Sequence, residues 1–278
     1  MNTAHATSTT DPAAMHLTEH RPATRSNGED ARSVLAALKS DWIKVTTVRA
    51  NRALLLLTVA GGVLVSWAVS ILVTDQVQYV AEVGFFWTSV TSMLAAIGGV
   101  LLFGSEVQHG TLASAVAARP ARWVLALSKT LTAALLGLVL GAAGLAAGFG
   151  GAVIAGLAAG DTSALVGTIG WALLFTTLSG VLGLGIAMVV RNSTAAIGGF
   201  LVWGFVLENL FRLFLAEEIA RFLPFVAGNH LLAYANDLES PHALAIALTR
   251  PENAFVFGGY TAVALLVGTV LLYRRDAD

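Results

Sequence analysis

Long apolar runs recur along this chain, separated by short polar intervals. A helix that crosses the hydrocarbon of a bilayer needs about 20 predominantly apolar residues. Six runs reach that length, at about 53–73, 83–104, 131–159, 164–190, 194–215 and 254–272. Their ends carry side chains that do not enter lipid: Asp75 after the first, Glu82 and Glu106 around the second, Arg191 and Asn192 after the fourth, Arg274 and Arg275 after the sixth. The third run is long enough to tilt or break near Gly148, Gly150 and Gly151. The pattern predicts an all-α, polytopic membrane protein with six transmembrane helices in residues 53–278.

A different period precedes the first run. Leu35, Leu38, Trp42 and Val45 recur at the spacing of one helical face, which predicts an amphipathic helix over 33–52. The face is imperfect, because Asp41 projects near its apolar side. Two readings stay open. The helix lies along the inner leaflet, with Lys39, Lys44, Arg49 and Arg52 on anionic headgroups. Alternatively it is only a basic flank that sets topology. Residues 1–32 hold no apolar stretch of the roughly 7–15 residues that a secretory signal needs, and read as a disordered cytoplasmic tail. Its histidines, His5, His16 and His20, are too scattered to argue for a metal site.

Composition narrows the class. The chain is 56% apolar and only 12% charged, against about 25% charged in a soluble domain. Its mean hydropathy is +0.75. So few charges cannot cover a compact soluble body, whereas lipid covers apolar surface. A net charge of -1 gives no basic stripe for nucleic acid. The absence of cysteine excludes disulfides, thiolate zinc sites and iron–sulfur clusters. The bases that remain set an orientation. With a cytoplasmic amino terminus, all of the 16 Lys and Arg except Arg212, Arg221 and Arg250 fall inside, and both termini are cytoplasmic.

The loop between the second and third runs carries the most information. It reads Gly104-Ser105-Glu106-Val107-Gln108-His109-Gly110-Thr111-Leu112, continues through Ala118-Arg119-Pro120-Ala121-Arg122-Trp123, and ends at Lys129. With Glu106, Gly110-Thr111, Pro120, Arg122 and Lys129 at this spacing, the loop resembles the first cytoplasmic loop of the type-2 ABC export permeases. The Lys-Ser-Asp-Trp-Ile-Lys run at Lys39 to Lys44 resembles the entrance helix of the same family, with Asp41 where Glu is commoner. The sharp motifs cover about 50 residues, and topology extends the resemblance from about Val34 onward.

The resemblance implies a permease subunit of a plasma-membrane exporter. Its partners would be a cytosolic ABC ATPase, a second permease chain (the same or a different one) and membrane lipid. It also implies a cytoplasmic coupling helix from about Glu106 to Ala118, with Glu106, His109, Gly110, Thr111, Arg119 and Arg122 as contact residues for the ATPase. Short helices within the segment from Ala216 to Asn253 would shape the exit.

No phosphate-binding Gly-x-x-x-x-Gly-Lys-Ser/Thr loop occurs, so ATP would be bound by the partner, and the chain needs no cofactor of its own. The ladders Gly137, Gly141, Gly144, Gly148 and Gly180, Gly183, Gly185 lie inside apolar runs, where helix packing accounts for them. Glu106 and His109 share the Glu-x-x-His spacing of carboxylate metal sites but have no facing carboxylates. The residues therefore predict no catalytic, cofactor-binding or metal site.

Glu208 and Arg212 interrupt the fifth run four residues apart, so they can pair on one helix face. Either they neutralise each other, or they line a substrate path. A self-sufficient secondary transporter or a membrane assembly factor is the competing function.

Overall fold

The computed structural model describes residues 27–73, 77–108, 110, 122–232, 242 and 245–275. Within them the chain is all-helical, and six helices are long and apolar enough to cross a membrane. Helix α1 spans Asn27–Thr47, so the first helix begins inside the segment expected to be a tail. Val48 breaks it with an extended backbone, and α2, Arg49–Leu72, follows. The short α3, Val80–Val83, turns into α4, Thr88–Gln108. Then come α5, Arg122–Ile154, and α6, Leu165–Val190.

The fifth span is built in pieces: α7, Ser193–Val202, a π-helical turn at Trp203–Leu207, and α8, Glu208–Phe214. Two short helices, α9 (Glu217–Ala220) and α10 (Pro224–His230), precede the last span, α11, Arg250–Arg275.

The inner layer is α4, α5 and α6, which pack on one another, while α2 leans on α5 and α11 on α6. Burial follows that order. The most apolar stretches of the second, third and fourth spans are 67%, 56% and 61% buried, against 22% for each of the other three. The outer spans expose Leu56, Leu64, Phe205, Leu213, Phe255 and Leu266. Such contiguous apolar surface suits lipid rather than water.

Without a hydrophobic drive between helices in lipid, close packing must supply the association energy. The chain meets this with backbone contact. A methyl group on Gly99 of α4 would fall on the carbonyl oxygen of Gly180 in α6, and one on Gly183 would meet the carbonyl of Ala96. Glycine is required at these points because nothing larger lets the two backbones touch. The Gly137 to Gly148 ladder of α5 lies likewise at helix contacts, facing Thr176, Thr91 and Gly84.

Three boundaries, in two of the spans, differ from the sequence pattern. The third span starts at Arg122 instead of 131, because Lys129, which reads as a membrane boundary, is buried and paired within the helix. It ends at Ile154 instead of 159, where Gly156 and Gly160 take left-handed backbone with φ of +84° and +76°. The sixth span gains a turn before 254, because Glu252 accepts from the backbone N–H and the hydroxyl of Thr249, both at 2.8 Å. Between the fourth and fifth spans Arg191, at φ +56°, makes the reversal. Asn192 then caps α7 through its side chain, at 2.9 Å from the N–H of Ala195.

Replacing Gly99 with Ala should therefore cost about 1–3 kcal/mol by overpacking. The same change at Gly198, which has nothing within 4 Å of the added carbon, should be neutral or slightly stabilising. Thermal unfolding of the two purified variants in one detergent checks this, and equal melting temperatures would contradict the backbone contact.

Candidate functional site

The residues that the resemblance draws from two separate segments meet at one end of the bundle. Helix α1 lies mainly against α5. Its buried face runs through Ala37, Asp41 and Val45, with Leu38 and Trp42 half-buried, while Leu35 is exposed. The apolar face expected from Leu35, Leu38, Trp42 and Val45 is therefore rotated, and Asp41, its apparent flaw, sits at the centre of the contact.

Four charges surround that point. Lys129 of α5 has no exposed surface, Asp41 is 2% exposed and Glu106 of α4 is 7% exposed. The Lys129 ammonium lies 2.7 Å from Oε2 of Glu106 and 3.9 Å from Oδ1 of Asp41. Lys44 closes the ring from the solvent side, donating to Oε1 of Glu106 at 3.0 Å and lying 3.9 Å from Asp41. The hydroxyl of Ser128 donates to Oδ2 of Asp41 at 3.0 Å. Two carboxylates and two ammoniums leave no formal charge. That balance is what lets Lys129 be buried, since an unpaired buried charge would shed its proton or reject the fold.

The arrangement fixes the surroundings of Glu106. Expected as a contact residue for a partner, it is buried, and both of its oxygens face lysines of this chain. It anchors the end of α4 to α1 and α5. Gly110 is the position at which close approach of another backbone was expected. It is exposed, has nothing within 4 Å of an added carbon, and takes φ of +67° directly after α4. That left-handed backbone favours glycine at this position. His109, Thr111, Arg119 and most of the expected coupling helix from Glu106 to Ala118 lie outside the described residues. Arg122 opens α5, and its side chain is likewise not among those described.

At the opposite end, Glu208 is 2% exposed, but Arg212 is not the partner it is bonded to. Its Oε1 accepts the backbone N–H of Val226 at 2.6 Å, and its Oε2 accepts the indole N–H of Trp203 at 3.2 Å. Val226 is in the first turn of α10, whose preceding residue, Leu223, has no side chain to cap it. The carboxylate takes the helix N–H group, and Arg212 acts on it only through space, without a hydrogen bond. Arg212 faces outward beside Asn209, Leu210 and Leu213. The sequence signal was the Leu223-Pro224 pair, since proline at the first helical position announces a helix start. Beyond the membrane-spanning segments, His242 lies 2.8 Å from Glu217, and that carboxylate contact raises the imidazole pKa above its usual value.

No protein-family model matches the chain, and no curated protein matches it.

Loss of one partner from a buried pair costs roughly 3–5 kcal/mol. Lys129→Met should therefore sharply lower the amount of folded chain in the membrane. Lys44→Ala, at an exposed position, should cost less than about 1 kcal/mol. Adding Glu106→Gln to Lys129→Met should recover part of the loss, because one stranded carboxylate is then neutral. Fluorescence-detected size exclusion of the variants reads this out, and a silent Lys129→Met would refute the buried cluster.

Proposed function

We propose that this chain is the permease subunit of an ATP-driven ABC exporter, multi-pass in the plasma membrane, with both termini cytoplasmic. The observation that carries the reading is the meeting of Asp41 and Lys44 with Glu106 and Lys129. These residues belong to two segments that the resemblance picked out separately, and they join at the base of the loop that would meet an ATPase. The cluster ties α1, α4 and α5 together, so force applied to residues 109–121 reaches the first helix and the feet of two spans at once. A driven transporter needs such a stiff lever, because packed helices shift as bodies.

ATP is bound and hydrolysed by a separate cytosolic subunit, since no phosphate loop occurs in this chain. A second permease chain completes the pathway, because the inner layer of α4, α5 and α6 is closely packed. A secondary carrier would instead need an ionisable group available at mid-membrane. Glu208, the carboxylate inside the fifth span, has both oxygens already engaged.

Two measurements test this reading. For topology, a reporter active only in the cytoplasm should work when fused after Asp278 or at Arg119, and fail at Asp161 or Asp237. A cytoplasmic signal at Asp237 would end the six-span orientation.

For coupling, the tagged chain should co-purify with an ABC ATPase. Gly110→Trp should cut that recovery about tenfold, the effect of losing ~1.4 kcal/mol of contact. Gly110→Ala carries the same left-handed strain of roughly 1–2 kcal/mol without the bulk, and should keep most of the partner. Full recovery with the tryptophan would remove the loop from the mechanism.

A further inference from the structure

Arg212 is the single base within the fifth span, Ser193–Phe214. Its side chain is exposed, and among the described residues it makes no hydrogen bond and no ion pair. Counting about 1.5 Å per residue from Ser193, it lies about 28 Å along the span, where a hydrocarbon core of roughly 30 Å gives way to headgroups. A guanidinium at that level faces lipid phosphates.

Toward the middle of the span the same face is apolar. Phe205 and Val206 are each 55% exposed, and Leu210 is 44% exposed. Together with Asn209, Leu213 and Arg212 they line a cleft of about 590 Å³. Phe205 and Val206 belong to the π-helical turn at Trp203–Leu207, whose extra residue resets the face that follows. Asn209 donates to the carbonyl of Phe205 at 3.0 Å, which keeps its side chain beside the cleft. The cleft is thus cationic at the headgroup level and apolar below it, the polarity of a phospholipid lying along the span.

The charge on the face restricts its occupant. No carboxylate lines it, because Glu208 is buried on the other side of the helix and bonded to Val226. A second copy of this chain seated here about a two-fold axis would bring the same face, with another arginine and no counter-charge. A phosphodiester supplies that charge, and its oxygens match the planar fork of a guanidinium.

We infer that this cleft binds one anionic glycerophospholipid, with its phosphate on Arg212 and an acyl chain against Phe205, Val206 and Leu210. A zwitterionic headgroup fits less well, because its own ammonium competes for the phosphate. In the orientation proposed above the lipid belongs to the outer leaflet. The site itself requires only that the fifth span crosses the membrane.

The test uses the full chain, delipidated in mild detergent and titrated with dioleoyl phosphatidylglycerol or dioleoyl phosphatidylethanolamine. Native mass spectrometry counts the first bound lipid. Phosphatidylglycerol should bind about tenfold tighter, the effect of one charge-assisted contact. Arg212→Gln should abolish that preference and melt like the native chain in the absence of lipid. Arg250→Gln, which removes a base at the same end of the bundle, should keep it. Val206→Trp fills the cleft and should weaken both lipids. Glycerol phosphate, which has the anion without the chains, should not compete.

Equal affinity for the two lipids, or a silent Arg212→Gln, would overturn the site. An equal loss in Arg250→Gln would reduce the preference to general surface charge. A silent Val206→Trp would take the acyl chain out of the cleft, and competition by glycerol phosphate would make the ligand a free anion. The chain contains no cysteine, so Leu213→Cys tests the remaining occupant. A disulfide-linked dimer of that variant in native membranes would give the face to a second copy. None of these measurements needs an ATPase or a transported substrate, so a failed lipid site and a failed export reading are told apart.

Discussion

An ammonium group with no exposed surface sits at the foot of the third span, and the architecture of that end is arranged around it. Lys129 is tolerable there only because Glu106 and Asp41 reach it from two other helices. Each of the three groups would be prohibitive alone, since a buried unpaired charge costs several kcal/mol. Together they force α1, α4 and α5 into one relative placement. Apolar packing is less demanding, because apolar side chains of similar size can repack. A charge cluster tolerates little displacement before its members lose their partners. The base of the loop that follows α4 is therefore rigid, which is what a mechanical input needs.

The middle of the bundle is held by a different means. Lipid gives apolar side chains no reason to prefer each other, so α4 and α6 approach until their backbones touch at Gly99, Gly180 and Gly183. At the far end, electrostatics returns in a smaller form. The first-turn N–H of α10 needs an acceptor that its own flank does not supply, and Glu208 supplies it from the fifth span. Tight apolar packing in the centre, with polar fixings at both ends, fits a molecule whose ends must respond to separate events while its core moves as a body.

The functional reading draws on both ends. The charge cluster joins α1 to the feet of two spans, and the short helix α10 packs into the bundle at the opposite end. In the proposed exporter the first would be the input from the ATPase.

Much of this was legible in the chain itself. Six apolar runs dictated six helices, because a membrane requires every backbone polar group to be satisfied within its own segment. The glycine ladders announced close helix contacts for a related reason. The Thr249-x-x-Glu252 pattern was also readable as a helix start, although a hydropathy boundary at 254 passed over it. What no local pattern could decide was where each charge goes. Lys129 looked like the end of a membrane segment, Asp41 like a flaw in an apolar face, and Glu208 like the natural partner of Arg212. Their true partners lie 23 to 88 residues away for the cluster and 18 residues away for Glu208. Hydropathy measures the cost of moving a side chain from water to lipid. It contains no term for a counter-charge or a free N–H delivered by another helix, and only the tertiary structure brings those groups within reach.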